Sequence, residues 1–321
     1  MLTCASPETP KSEIISVDNQ SLLKTATWID LVFPTKEEAQ WVESCLGFRI
    51  PNRAEMVEIE LSSRLYMEQG RLYMTATMIA KSESDEPQLD PVTFILTGTQ
   101  LITIRYIEPL AFKLFALMIQ KTEPDQRDAG MLFADLLDAT IDRLADILEF
   151  LGHRLDACSK SIFRPKQERT SKINYPLLMQ EIGSMEDLNT KAQESLVTFN
   201  RLVVFYSQSS LFHREAQDAS RLTTMSRDIA ALSDHAHFLS TKINFLLDST
   251  LGLVNIEQSN IIKIFSVAAV IFLPPTLIAS VYGMNFPIPE LTWRYGYYIA
   301  LGLMMFAAWL PYKYFKYRKW L

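Results

Sequence analysis

The chain has 321 residues, 48% of them hydrophobic and 21% charged, with a formal net charge of −6. That length allows more than one structural unit, and so high an apolar share beside an ordinary charged share suggests a soluble part joined to a membrane part. The negative balance disfavours a nucleic-acid-binding surface, and the scattered Cys4, Cys45 and Cys158, with no C-x-x-C pair, read as free thiols and not as a disulfide framework.

The opening stretch MLTCASPETPKSEII has no basic segment followed by an apolar core, so no signal peptide is expected and the N-terminal part is expected in the cytoplasm. ATWIDLVF predicts a buried strand. Thr35, Lys36, Glu37 and Glu38, after Pro34, have the capping-box spacing that starts a helix. RLYMEQGRLYMTATMIA reads as two strands around a turn at Gln69-Gly70, and VTFILTGTQLITIRYI repeats that pattern with Gly98 in the turn. PLAFKLFALMIQ returns to helical spacing. Residues 1–125 are therefore expected to form an α/β or α+β domain, with KSESDEPQLDP as its acidic exposed loop.

After KTEPDQRD the pattern becomes helical. MLFADLLDATIDRLADILEFLGHRL has apolar residues at three- and four-residue steps, and a second helical stretch follows Pro176, so 126–210 reads as an antiparallel helical region. A seam then runs through Leu222, Met225, Ile229, Leu232, Ala236, Leu239, Ile243, Leu246, Thr250 and Leu253. This heptad-type alternation predicts one long stalk helix over 211–283; a plain bundle-core helix is the alternative. From Ile264 to Val281 no residue is charged, near the minimum for a membrane span, here placed at about 264–283. A second candidate covers 296–312, after a loop at 284–295. The basic tail, 313–321, carries Lys313, Lys316, Arg318 and Lys319, whereas the loop carries only Glu290 and Arg294. The positive-inside rule then puts both termini in the cytoplasm, and the basic-aromatic tail reads as an interfacial anchor.

Within the first span lies a second line, two residues out of phase with the seam. It comprises Asp248, Gly252, Asn255, Ser259, Ile262, Ser266, Ala269, Leu273, Thr276, Ser280 and Gly283. Most are small or hydroxyl-bearing, between neighbours such as Ile264, Phe265 and Phe272. A polar side chain facing lipid is unfavourable, so this line is expected to face protein or water. Close helix packing is one explanation. A pore is the other, and with two spans per chain it requires several chains around an axis. Pro274-Pro275 interrupts the span, either as a tolerated kink or as a gate hinge.

NIEQSNIIKIFSVAAVIFLPPTLIASVYGMNF, followed by PELTW and YFKYRKWL, closely resembles the CorA magnesium transporters, especially the enterobacterial type; WIDLVFPTKEEA and SSRLYMEQGRLYM resemble that family's N-terminal domain. The resemblance covers nearly the whole chain and is strongest from Asn244 to Leu321. It implies an α/β cytoplasmic domain, a long-helix funnel and two transmembrane helices per subunit, assembled as a homopentamer in the cell (inner) membrane among its lipids. It implies Mg²⁺ influx, with Co²⁺ and Ni²⁺ as further cargo, driven by membrane potential and gated by cytoplasmic Mg²⁺. Gly283, Met284 and Asn285 would be the selectivity filter. Asp248, Asn255, Ser259, Ile262, Ser266, Leu273, Thr276 and Ser280 match pore-facing positions, with Ile262 and Leu273 as the apolar gate. Asp90, Asp218 and Asp228 are candidates for the family's sensing acids, but no local motif fixes them and no regulatory metal site is assigned. After Phe286 this chain has PIPEL, one residue shorter than the usual loop and without its acid.

Two alternatives stay open: a proton-coupled Zn²⁺ carrier like the ZntB relatives, whose filter usually replaces the methionine, and a non-conducting membrane-anchored regulatory protein. An enzyme is not expected. His153, His213, His235 and His237 read as surface or packing residues, and no nucleophile–base set or phosphate loop is present. No cofactor is expected beyond transported and regulatory Mg²⁺, and no nucleic-acid partner.

Overall fold

The computed structural model describes residues 2–6, 9–14, 20–58, 60–84, 86–121, 128–163, 174–209, 216–285, 288–289, 293–318 and 320. Its elements in chain order are β1 (Leu2–Ser6), β2 (Thr9–Ile14), α1 (Gln20–Thr25), β3 (Trp28–Val32), α2 (Lys36–Leu46), α3 (Arg53–Val57), α4 (Leu61–Arg64), β4 (Leu65–Glu68), β5 (Arg71–Ala80), β6 (Gln88–Leu96), β7 (Leu101–Arg105), α5 (Leu110–Lys121), α6 (Ala129–Phe163), α7 (Tyr175–Ser207), α8 (Ala216–Tyr282) and α9 (Gly296–Tyr317). They fall into two compact units, Met1–Leu247 and Asp248–Leu321, with α8 contributing to both.

In the first unit seven strands form one mixed sheet, ordered β2-β1-β3-β7-β6-β5-β4. Among the described residues, only β3 and β7 pair in parallel. Alternation along β3 sorts its side chains between two layers. Ile29 and Leu31 join Ile102 and Ile104 of β7 in a buried cluster with Leu23 of α1, Val42 of α2 and Met56 of α3. Trp28 points the other way, edge-on to Phe115 of α5 at 5.0 Å. Phe94 of β6 meets Phe133 of α6 and Phe199 of α7. The sheet thus lies between two helical layers, although an α/β pattern usually goes with a mostly parallel sheet and this one is mostly antiparallel.

Local chemistry fixes the elements as expected. Thr35 caps α2, its hydroxyl accepting from the Glu38 amide while the Glu38 carboxylate accepts from the Thr35 amide at 2.9 Å. Gln69 and Gly70 both adopt positive φ, 49° and 77°, as a tight two-residue hairpin turn requires. The acidic loop is shorter than expected: Gln88 to Pro91 belong to β6, and Pro91 is tolerated because it lies beyond the end of β7. The strands β1 and β2 were not anticipated, since prolines flank and enter them. Past the end of β4, β5 becomes an edge strand, and α7 covers it. The Thr77 amide donates to Thr198 Oγ1 at 3.0 Å, and Ser195 Oγ donates to the Thr77 carbonyl at 2.7 Å.

The seam of α8 is buried. Leu222, Met225, Ile229, Ala236, Leu239, Ile243 and Leu246 are all 3% exposed or less, and Thr250 is fully buried. Leu232 and Leu253 are half-buried. Arg221 bridges Asp135 and Asp138 of α6, Lys242 pairs with Asp156 at 2.5 Å, and Asn189 of α7 donates to the Ala236 carbonyl at 3.1 Å. The order of those contacts sets α8 parallel to α6 over this length.

Candidate functional site: a polar line along an apolar helix

From Asp248 onward an exposed line runs along α8, beside the last seam residues Thr250 and Leu253. Asp248, Asn255, Ser259, Ile262, Ser266, Leu273, Thr276 and Ser280 are all exposed in the single chain, with Ile262 65% and Leu273 64% exposed; Gly252 is half-buried. At about 100° per residue, Ser266, Leu273 and Ser280 fall within roughly 20° of one line. On that scale Ile271, Pro274 and Ile278 lie roughly 100–160° round from them. Those three are half-buried and Val267 is buried. Ile271 also lines a cleft with Met305, Phe306, Ala308, Trp309 and Tyr312 of α9. The polar line therefore runs along the side of α8 turned away from α9.

Two details shape this helix. Pro274 and Pro275 leave the Val270 and Ile271 carbonyls without their usual amide donors. The Thr276 hydroxyl donates to the Phe272 and Leu273 carbonyls at 3.0 and 2.9 Å, so it serves its own backbone beside the prolines. At the upper end, the Gly283 amide still reaches the Ala279 carbonyl at 2.9 Å, and Met284 closes a tighter turn onto Val281 at 3.2 Å. A Cβ on Gly283 would sit 3.1 Å from the Ala279 carbonyl oxygen and 3.6 Å from that of Ser280. Crowding against backbone favours glycine there; its φ is not in the left-handed region. Met284 and Asn285 follow, both exposed.

Among the described residues, α8 is the one helix long and apolar enough to cross a membrane by length and composition, and almost none of its apolar window is buried. Helix α9 has 22 residues and buries none of them, but its tyrosines, proline and terminal lysines dilute its hydropathy. Its basic end has a feature the sequence reading did not draw out. The Lys313 ammonium lies 4.7 Å from the Trp309 ring and Lys316 lies 5.9 Å from the Tyr312 ring. The four-residue spacing in W-x-x-x-K and Y-x-x-x-K was the available signal.

No regulatory metal site emerges: among the described residues, no group of three or more His, Cys, Asp or Glu side chains is placed to hold an ion. Asp90 pairs with Arg53 at 3.3 Å, and burial pushes its carboxyl up despite that guanidinium. Asp228 is exposed. Asp142 of α6 is pushed up by burial, with Asp138, Asp146 and Asp228 adding repulsion. The Asp218 side chain, Glu290, Thr292 and Lys319 lie outside the described residues, as do His213, Phe286 and Pro287. The site residues of α8 share one face but do not converge within a single chain.

The sequence model for "CorA-like Mg2+ transporter protein" matches residues 24–318. The chain is 33% identical over 322 residues to the magnesium transport protein CorA of Mannheimia succiniciproducens, covering 100% of both chains. It is also 33% identical over 312 residues to the protein of the same name from Haemophilus influenzae, covering 97% of each. The solved complete structure of the CorA magnesium transporter from Methanocaldococcus jannaschii superposes with a TM-score of 0.75 at 19% identity, covering 100% of this chain and 98% of that one. At that identity the structural likeness speaks for the fold.

Proposed function

Because the chain belongs to the family of CorA-like Mg²⁺ transporters, we propose that it forms a homopentameric channel for Mg²⁺ influx across the cell (inner) membrane. The polar line along α8, opposite the side that meets α9, is the observation that carries this reading. Five copies of α8 turned with that line inward would enclose a path of hydroxyls and amides, with α9 outside against lipid. Both helices then span the membrane and both termini are cytoplasmic, in keeping with the basic end of α9.

Gly283, Met284 and Asn285 form the filter at the extracytoplasmic mouth. Mg²⁺ is small and sheds water reluctantly. A ring of carboxylates would hold it too long, whereas uncharged amide and backbone oxygens accept hydrogen bonds from its water shell and release it again. Leu273 and Ile262, apolar positions on a polar line, act as the gate, which closes by dewetting. Membrane potential supplies the force, about 4.6 kcal/mol for a divalent ion per 100 mV. Co²⁺ and Ni²⁺ are further cargo, and cytoplasmic Mg²⁺ restrains the gate. Met284 favours this reading over a ZntB-like Zn²⁺ carrier.

Reconstituted protein should take up Mg²⁺ without a proton gradient, and an inert hexaammine metal cation should compete at the mouth because recognition is of the outer shell. Uptake of Zn²⁺ that requires a proton gradient would favour the carrier. No ion flux from a folded oligomer would favour the non-conducting protein.

A further inference from the structure

We propose that the cleft between α8 and α9 is a binding site for one anionic phospholipid of the cytoplasmic leaflet, its acyl chain in the cleft and its phosphate on Lys313 and Lys316. The proposal rests on the membrane reading of both helices given above. Among the described residues, the cleft is lined by Ile271 of α8 and Met305, Phe306, Ala308, Trp309 and Tyr312 of α9. All offer apolar surface, and the cleft measures about 600 Å³, within the range of small-ligand sites. Trp309 and Tyr312 do double duty. Their rings wall the cleft and also carry the Lys313 and Lys316 ammonium groups, at 4.7 and 5.9 Å. The two charges are thereby held one turn from the cleft, on its cytoplasmic side.

Charge balance says what belongs there. From Gln258 to Pro289 and from Leu291 to Leu321 the chain has no Asp or Glu, whereas it has Lys263, Arg294, Lys313, Lys316, Arg318 and Lys319. Among the described residues, neither Lys313 nor Lys316 has a carboxylate partner. A cation at the membrane surface attracts anionic lipid by about 1 kcal/mol, and an apolar cleft beside it selects a ligand with both a charge and a chain. A free phosphate satisfies only the first requirement, and a zwitterionic lipid only the second. Bound there, the chain would rest against Ile271, whose carbonyl Pro275 leaves without a donor, so the lipid touches the proline-containing part of α8.

The test is native mass spectrometry of the full-length oligomer, delipidated and then titrated with phosphatidylglycerol or phosphatidylcholine of identical chains. Wild type should retain phosphatidylglycerol roughly thirtyfold better, from two lysines at about 1 kcal/mol each, saturating near one per chain. Lys313→Gln with Lys316→Gln should bring the two lipids level while leaving phosphatidylcholine retention unchanged. The corresponding double change to Arg should keep the preference. Ala308→Trp, which fills the cleft, should lower retention of both lipids. Equal retention of the two lipids by wild type would overturn the proposal, as would full retention by Ala308→Trp. So would an efficient cross-link between Ile271→Cys of one copy and Met305→Cys of another, because a neighbouring chain would then occupy the cleft. Normal Mg²⁺ flux alongside any of these results would leave the channel reading standing, whereas failure of the protein to insert in membranes would remove both.

Discussion

Gly283 ends α8 where a side chain would press on the Ala279 carbonyl at 3.1 Å. Gly283→Ala should therefore shift the last turn and displace the amide two residues on, lowering Mg²⁺ uptake at least tenfold while the oligomer persists on gel filtration. Leu273 tests the proposed gate. Leu273→Ser keeps a constriction wet, so flux at high internal Mg²⁺ should rise; unchanged flux and unchanged inhibition would count against dewetting there. Away from the polar line, Asp142 gives a pH signature. Partial desolvation of this largely exposed side chain, with the carboxylates of Asp138, Asp146 and Asp228, makes it hold its proton more tightly in the fold than in the unfolded chain. Its ionisation then subtracts stability as pH rises through and above the ordinary carboxylate range, and subtracts nothing well below that range. Asp142→Asn should raise the melting temperature at neutral pH, with the gain disappearing near about pH 3. A gain that grows on acidification would contradict the assignment. These residue-scale features were unequally legible. The polar line and the Gly-Met-Asn end stand out in the sequence, because three- and four-residue steps are visible without coordinates. The repulsion on Asp142 involves α8 as well as α6, a juxtaposition no local pattern contains.

Among the elements, α8 shows how one helix can carry two patterns. Its seam from Leu222 to Leu246 is buried except at half-buried Leu232, and the exposed line begins two residues out of phase at Asp248. Ile243→Ala should cost about 2–5 kcal/mol by leaving a cavity, whereas Asn244→Ala, on an exposed position next to it, should stay within about 0.5 kcal/mol. Chemical denaturation of the full chain in detergent separates the two; equal effects would mean the seam does not pack. The hairpin at Gln69-Gly70, strand β3 and the Thr35 cap were legible because each is set by neighbours within a few residues. The strands β1 and β2 were not, since their prolines mask the alternation and their place depends on pairing with β3. The early start of β6 escaped for a related reason: Pro91 reads as a loop residue until the end of β7 is known. In α9, Tyr312, one of the residues that lower its hydropathy, also carries the Lys316 ammonium beside the cleft.

At the scale of the whole molecule, α8 runs from an α/β unit into a second unit where it is long and apolar enough to cross a membrane, and the proposed function requires copies to assemble. A single chain sets its site residues along one exposed face, which is why neither the sequence nor one chain's fold displays a closed ring. Topology can be checked first. In intact cells, a cysteine in place of Arg294 should react with an impermeant thiol reagent added outside, and one in place of Tyr317 should react only after the membrane is opened; the reverse would place the basic tail on the wrong side. The most direct test is Mg²⁺ uptake by proteoliposomes under an inside-negative potential, comparing wild type with Asn285→Ala. Removing the amide takes one water-shell acceptor from every subunit, and a charge-assisted bond of roughly 1.5–3 kcal/mol at each exceeds the ~1.4 kcal/mol that changes affinity tenfold. Saturable, potential-driven uptake by wild type should vanish in an Asn285→Ala oligomer that remains assembled; normal saturable uptake by that variant would contradict the account.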